Sequence, residues 1–251
     1  MRSLTVALFV IGMVAGDGRC QCLVQERQGF LPERGLPTRE FFGESVDIDG
    51  DTAVVGVPSS ASGGRAFVFE RRSGWWASTA ILVASDVQPG DRFGEASAID
   101  GDVIAIGAPD RGNRKSGGVY IFRRDESGWL QEALLEPLGS GTDLRDAHFG
   151  QSVDLEASRL VVGAPGTYRK AVYTYEYDGA TWNLVAFNED DAWRFGKAVR
   201  LAGDTLFVGS DASFSDADLS GAVHIFRHQR GGPGWMFERK LGGCQDSCRL
   251  S

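Results

Sequence analysis

Three aspartates alternate in Asp47-Ile48-Asp49-Gly50-Asp51, an arrangement that imitates the acidic opening of a calcium loop. Such a loop runs about 12 residues and closes on a further carboxylate, so that six or more oxygens surround the ion. Here Gly43 and Gly56 lie 13 positions apart and two strands must fit between them. The Asp-Gly turn of a hairpin therefore explains these residues better than a cation cage. A second acidic group, Asp211, Asp216 and Asp218, lies in a stretch long enough to wrap an ion. It is the remaining calcium candidate, although a solvated loop accounts for it as well. The three histidines, His148, His224 and His228, form no HExxH, and the chain has no GxSxG or Walker loop. No catalytic residue and no cofactor are expected, and the chain is not expected to be an enzyme. His224 falls within an apolar strand pattern and reads as a partly buried strand residue.

The elements that would position these groups must be built from 251 residues, 34 of them glycine, with a net charge of -8. Glycine is nearly twice its usual share of roughly 7%, without the Gly-X-Y period of collagen. The acidic balance leaves no basic stripe for a phosphate backbone, so nucleic acid is not an expected partner. Arg2, the apolar run Leu4 to Val14 and the small residues Ala15, Gly16 and Gly18 follow the order of a signal peptide. Residues 1–18 are therefore expected to be removed, giving a secreted protein, extracellular or periplasmic. That run is shorter than the about 20 residues needed to span a bilayer, and no other approaches it, so no membrane span is expected in the mature chain. The cysteines, Cys20, Cys22, Cys244 and Cys248, cluster at the two mature ends. Disulfides are expected in an oxidising compartment, with Cys22–Cys244 and Cys20–Cys248 preferred to two local loops or a zinc site.

The chain repeats itself. Phe42-Gly43 leads to Gly56-Val57-Pro58, Phe93-Gly94 to Gly107-Ala108-Pro109, Phe149-Gly150 to Gly163-Ala164-Pro165, and Phe195-Gly196 to Gly209-Ser210, with the glycines 13 positions apart each time. Between them lie two short apolar runs and a turn, at Asp49-Gly50, Asp100-Gly101, Glu156-Ala157 and Ala202-Gly203. Asp-Gly there predicts a type I′ hairpin. An aromatic third strand follows, then a tryptophan (Trp76, Trp129, Trp182 or Trp235) opens a fourth. Each unit of about 50 residues is thus a four-stranded antiparallel meander, the content of a propeller blade. Trp75 and Trp193 stand outside the repeat and are candidate ligand contacts, while Arg71-Arg72, Arg123-Arg124 and Arg227 suggest a charged blade edge.

These landmarks resemble FG-GAP repeats, as in the integrin α-chain propeller, over about residues 42 to 241. The resemblance implies an all-β β-propeller of four four-stranded antiparallel blades, at about 42–92, 93–148, 149–194 and 195–241. It also implies calcium loops between first and second strands, for which this chain has no room. Residues 19–41 would supply an N-terminal strand (23–33) and closure segment, and 242–251 a cysteine-bearing tail. Three arrangements are consistent with that count: a four-bladed ring closed by its end strands, a ring completed by a second copy, and an open arc. The terminal cysteines favour the first. The expected role is a non-enzymatic protein-interaction or adhesion-type binding module, monomer or homodimer, with a protein or surface glycan ligand. A carbohydrate-binding or hydrolytic propeller using one face is the alternative.

Overall fold

The computed structural model describes residues 41–58, 63–112, 114–138, 144–168, 170–211, 221–229, 232 and 234–242. They form four antiparallel sheets of four strands, each in simple sequence order. Blade 1 holds β1 (Val46–Asp49), β2 (Thr52–Val57), β3 (Arg65–Arg72) and β4 (Trp75–Leu82). Blade 2 holds β5 (Ala96–Asp100), β6 (Val103–Ala108), β7 (Gly118–Asp125) and β8 (Gly128–Leu135). Blade 3 holds β9 (Ser152–Glu156), β10 (Arg159–Pro165), β11 (Lys170–Tyr177) and β12 (Trp182–Glu189). Blade 4 holds β13 (Ala198–Ala202), β14 (Thr205–Ser210), β15 (Ala222–His228) and β16 (Trp235–Gly242). The chain is an all-β propeller whose first strands lie side by side in the order β1, β5, β9, β13.

Local geometry repeats with the sequence. In the first hairpin Asp49 pairs with Thr52, so the two turn residues are Gly50 and Asp51. Only Gly50 has a positive φ, at 55°, and the same holds for Gly101, Ala157 and Gly203. A positive φ confined to the first turn residue is the II′ arrangement, which corrects the expected I′; both match the twist of the flanking strands. The I′ pattern occurs instead between β3 and β4, where Ser73 and Gly74 both have positive φ. Each blade also has a bulge at one register, between Val68 and Phe69, Ile121 and Phe122, Thr174 and Tyr175, and Ile225 and Phe226. Bulges increase local twist, so all four blades bend alike.

The sheets are too thin to hold cores of their own, and apolar side chains pack between successive blades. One buried cluster joins blades 1 and 2 through Val54, Val68, Phe93, Ile104 and Tyr120. A second joins blades 2 and 3 through Ala105, Ile121, Phe149, Leu160 and Tyr173, and a third joins blades 3 and 4 through Val161, Val172, Phe195 and Leu206. Four blades thus make three junctions, and among the described residues no buried cluster joins blade 4 to blade 1. Blade 4 has all four of its strands from residues 198–242, so an added N-terminal strand is not needed to complete it. The expected closure strand 23–33 and all four cysteines lie outside the described residues.

Candidate functional site

Asp47 and Asp49 join blades. An oxygen of Asp47 accepts the Ile99 N–H at 2.8 Å and one of Asp49 accepts the Gly101 N–H at 2.8 Å, while Asp51 pairs with Arg71. One junction on, Asp100 accepts from Ala157 N–H. At the third junction, Asp154 accepts from Leu201 N–H and Glu156 from Gly203 N–H. Burial raises the pKa of Asp154, against the pull of that bond and of Arg200. The alternating acids are thus staples between neighbouring first strands. Asp211 is held by Arg194 at 2.9 Å and Lys197 at 2.8 Å, and its proposed companions Asp216 and Asp218 lie outside the described residues. Among the described residues no group of three or more acidic, histidine or cysteine side chains is placed to hold a metal.

The repeated tryptophans pack at the junctions: Trp129, Trp182 and Trp235 join the second-, third- and fourth-blade sides of the three clusters. Trp182 Nε1–H donates to Glu132 and Trp235 Nε1–H to Thr174. The arginines expected after the third strands lie within their last residues and are paired, Arg72 with Glu70, Arg123 with Glu132 and Arg227 with Glu238. Trp75 and Trp193 are both exposed, and the Trp193 carbonyl accepts the Asp211 N–H at 3.0 Å.

Two polar clusters escaped sequence reasoning. Arg111 donates to Asp86 at 2.8 Å, to Glu136 at 2.5 Å and to the Tyr120 hydroxyl at 2.9 Å, and that hydroxyl donates to Asp86 at 2.7 Å. The Arg111 and Tyr120 bonds hold Asp86 below the usual carboxylate range. Residues up to 50 apart in sequence meet here with no local motif to mark them. The other cluster is Ser210, His224 and Asp190: Ser210 Oγ lies 3.2 Å from His224 Nε2, and His224 Nδ1 lies 3.6 Å from Asp190. The residue types are those of acyl-transfer triads, but the geometry serves packing. The Ser210 hydroxyl also reaches the Ala222 carbonyl, the carboxylate is beyond hydrogen-bond distance of Nδ1, and the Asp211 N–H that follows the serine is taken by Trp193.

His224 is a core residue, 1% exposed, a fuller burial than its strand pattern suggests. Its ring meets Phe195 edge-on at 5.0 Å, as Tyr120 meets Phe93 at 5.4 Å and Tyr173 meets Phe149 at 5.0 Å. Burial lowers its pKa, with Asp190 opposing. A histidine depressed in the folded state keeps its full contribution above the unfolded value near 6.5 and loses it as pH falls through the folded one. Chemical denaturation should therefore show stability declining as pH drops below about 6.5. In His224→Tyr, which restores the residue used by blades 2 and 3, that part of the slope should vanish; an unchanged slope would assign it elsewhere.

The two ends of the blade series expose side chains that are buried in the interior. Phe42 is 41% exposed, while Phe93, Phe149 and Phe195 are at 0%. Ile48 is 56% exposed against 4%, 6% and 4% for Ile99, Leu155 and Leu201. On blade 4, Val223 is 38% and Leu241 48% exposed, where blade 1 has Ala66 at 0% and Leu82 at 3%. Beside Val223 an open cavity of about 580 Å³ is lined by Lys197, Ala198, Gly209, Asp211 and Leu241.

The FG-GAP repeat model matches residues 37–69 and 76–122, which span blade 1 and most of blade 2. Those stretches are similar to FG-GAP repeats. The same landmarks continue through blades 3 and 4 in this structure, where each Phe-Gly keeps its aromatic contact with the third strand. Among solved structures, the chain is similar to a protein from Lactobacillus plantarum, at 12% identity and a TM-score of 0.59 over 82% of this chain and 57% of that one. It is also similar to a hypothetical selenium-binding protein from Sulfolobus tokodaii, at 12% identity and a TM-score of 0.52 over 76% and 52%. These likenesses concern the fold alone, and this chain spans little more than half the length of either.

Proposed function

We propose that this FG-GAP propeller is a secreted, non-enzymatic protein-interaction module of adhesion type. The supporting observation is the pair of apolar end faces. Phe42, Val46 and Ile48 at one end and Val223 and Leu241 at the other are exposed large apolar residues, and contiguous apolar surface of this kind marks interaction sites on soluble proteins. Catalysis has less support, because the Ser210-His224-Asp190 grouping is committed to packing and backbone bonds. Secretion rests on the leader pattern of residues 1–18.

A photo-crosslinking residue in place of Ile48, in chain exported by its own host, tests the interaction reading. Covalent protein adducts mapping to that face are expected; irradiation that yields no protein adduct overturns it. The carbohydrate-binding or hydrolytic alternative is favoured by one observation, exposed Trp193 bonded through its backbone to Asp211 at the cavity. Selective glycan-array binding abolished by Trp193→Ala would establish that alternative, and an array without selective binding would remove it.

A further inference from the structure

Each exposed end carries one side of a contact that the molecule makes three times internally. At each internal junction the Phe-Gly of the following blade lies over the second strand of the preceding one. A Cβ added to Gly56 would lie 2.0 Å from the Gly94 carbonyl oxygen, one on Gly107 would lie 1.9 Å from that of Gly150, and one on Gly163 would lie 1.9 Å from that of Gly196. The Gly94 and Gly150 positions in turn abut the preceding blade's backbone, at Arg65 and Gly118.

Each end keeps its half of this pattern unmatched. Gly209 occupies the receiving position on blade 4, yet among the described residues the atoms nearest its Cβ belong to Ala198 of its own blade, the closest at 3.3 Å. Gly43 occupies the inserting position on blade 1, and among the described residues a Cβ added to it would meet nothing within 4 Å. The surrounding residues have the composition of a junction and not of a solvated edge. Gly209 pairs with Val223 and Val223 with Leu241, in the register where Gly107, Val119 and Leu135 stand buried on blade 2. On blade 1, Phe42, Ile48 and Val55 stand where blade 2 buries Phe93, Ile99 and Ile106.

Charge follows the same direction. The residue after each Phe-Gly is Glu44, Glu95, Gln151 and Lys197 in turn, and the Gln151 side chain donates to Glu95 across its junction at 3.0 Å. Lys197 of one chain placed against Glu44 of another continues that row with opposite charges. Blade 4 has Ala198, Arg200 and Ala202 where blade 1 has Ser45, Asp47 and Asp49, whose side chains all bond to blade 2. Blade 2 has Ala96 and Ala98 at the first two of these positions but keeps Asp100 at the third, where it accepts the Ala157 N–H, so the added contact is weaker than each internal one.

We infer that the occupant of these faces is a second copy of this chain, docked head to tail, with Phe42-Gly43 of one copy seated over Gly209 of the other. This inference rests on the protein-interaction reading and names the partner. A heterologous contact closes into a ring when the rotation permits, and two four-bladed copies reach eight blades, the upper end of the usual range of 4–8.

Sedimentation of the full exported chain tests it. Wild type should associate reversibly, and Ile48→Asp or Val223→Asp should each weaken association by roughly 100-fold or more by burying an unpaired carboxylate. Each variant keeps one intact face, so an equimolar mixture of the two should form a one-to-one pair that neither forms alone. Lys197→Glu should weaken association and Lys197→Glu with Glu44→Lys restore it. Both apolar substitutions are on exposed positions, and matching circular dichroism spectra check that the blades are folded. A wild type that sediments as one copy at every concentration overturns the inference, as do pairing insensitive to both substitutions and a mixture that stays monomeric. Foreign-protein adducts at position 48 with a monomeric wild type would retain the interaction reading and discard only the self-docking.

Discussion

At concentrations where the chain is monomeric, Gly163→Ala should destabilise the protein by about 3 kcal/mol or more, while Gly209→Ala, at the same place in the repeat, should change stability little. The added carbon at 163 would lie 1.9 Å from the Gly196 carbonyl oxygen and 2.3 Å from Ser152 Oγ. That hydroxyl itself donates to the Gly196 carbonyl at 2.8 Å. The Gly196 backbone belongs to the next blade, so relief requires blades 3 and 4 to move apart, which uncovers the cluster around Phe195 and Leu206. At 209 the nearest atom is the Ala198 methyl, 3.3 Å away, and a few tenths of an ångström of adjustment suffices. Domains of this size lose roughly 2–4 °C of melting temperature per kcal/mol, so thermal melts should separate the two variants by about 10 °C. Equal melting temperatures would mean that close backbone approach is not what fixes glycine at the junction.

Phe149→Ala should cost about 3–5 kcal/mol and Phe42→Ala less than half as much. Phe149 is fully buried, with its ring edge-on to Tyr173 at 5.0 Å and to Tyr175 at 6.4 Å. Truncation leaves a cavity walled by two blades that are held by other contacts and cannot collapse into it. Phe42 makes the equivalent contacts within its own blade, with Phe67 at 5.6 Å and Phe69 at 6.3 Å, but its outer side meets solvent. Urea unfolding at a concentration where the chain is monomeric isolates the folding term. Equal losses would show that each Phe-Gly stabilises its own blade and contributes nothing to the junction.

Much of the fold was legible before any coordinates. The spacing of 13 between landmark glycines placed every first hairpin, and the aromatic runs placed the third strands, because a strand's period of two and a turn's need for glycine or aspartate are local demands. The turn type was not: Asp-Gly suits I′, but here glycine comes first of the two turn residues and the chain takes the II′ form. His224 was legible as a strand residue, and its place beside Ser210 and Asp190 was not. Asp190 is 34 positions away and enters from the loop that leads into the blade. The Arg111 cluster was missed for the same reason. The calcium-like aspartates were read correctly as belonging to hairpins, but their work at the junctions needed the neighbouring blade to be seen.

The sequence by itself determined the repeat, the four-stranded units and their order, since each depends on residues close along the chain. It also marked where glycine recurs, without distinguishing two reasons for it. The Phe-Gly glycines take positive φ values near 90°, a backbone requirement that composition suggests. Gly56, Gly107 and Gly163 are glycine because the next blade's carbonyl lies where a side chain would begin. Only the tertiary structure decided which side of each sheet meets which neighbour, and that four blades bury three junctions. Alternation divides a strand's residues between two faces, but solvent and a second sheet look alike from one strand alone. Phe42 and Phe149 therefore share a motif and differ in burial, because among the described residues a blade precedes Phe149 and none precedes Phe42.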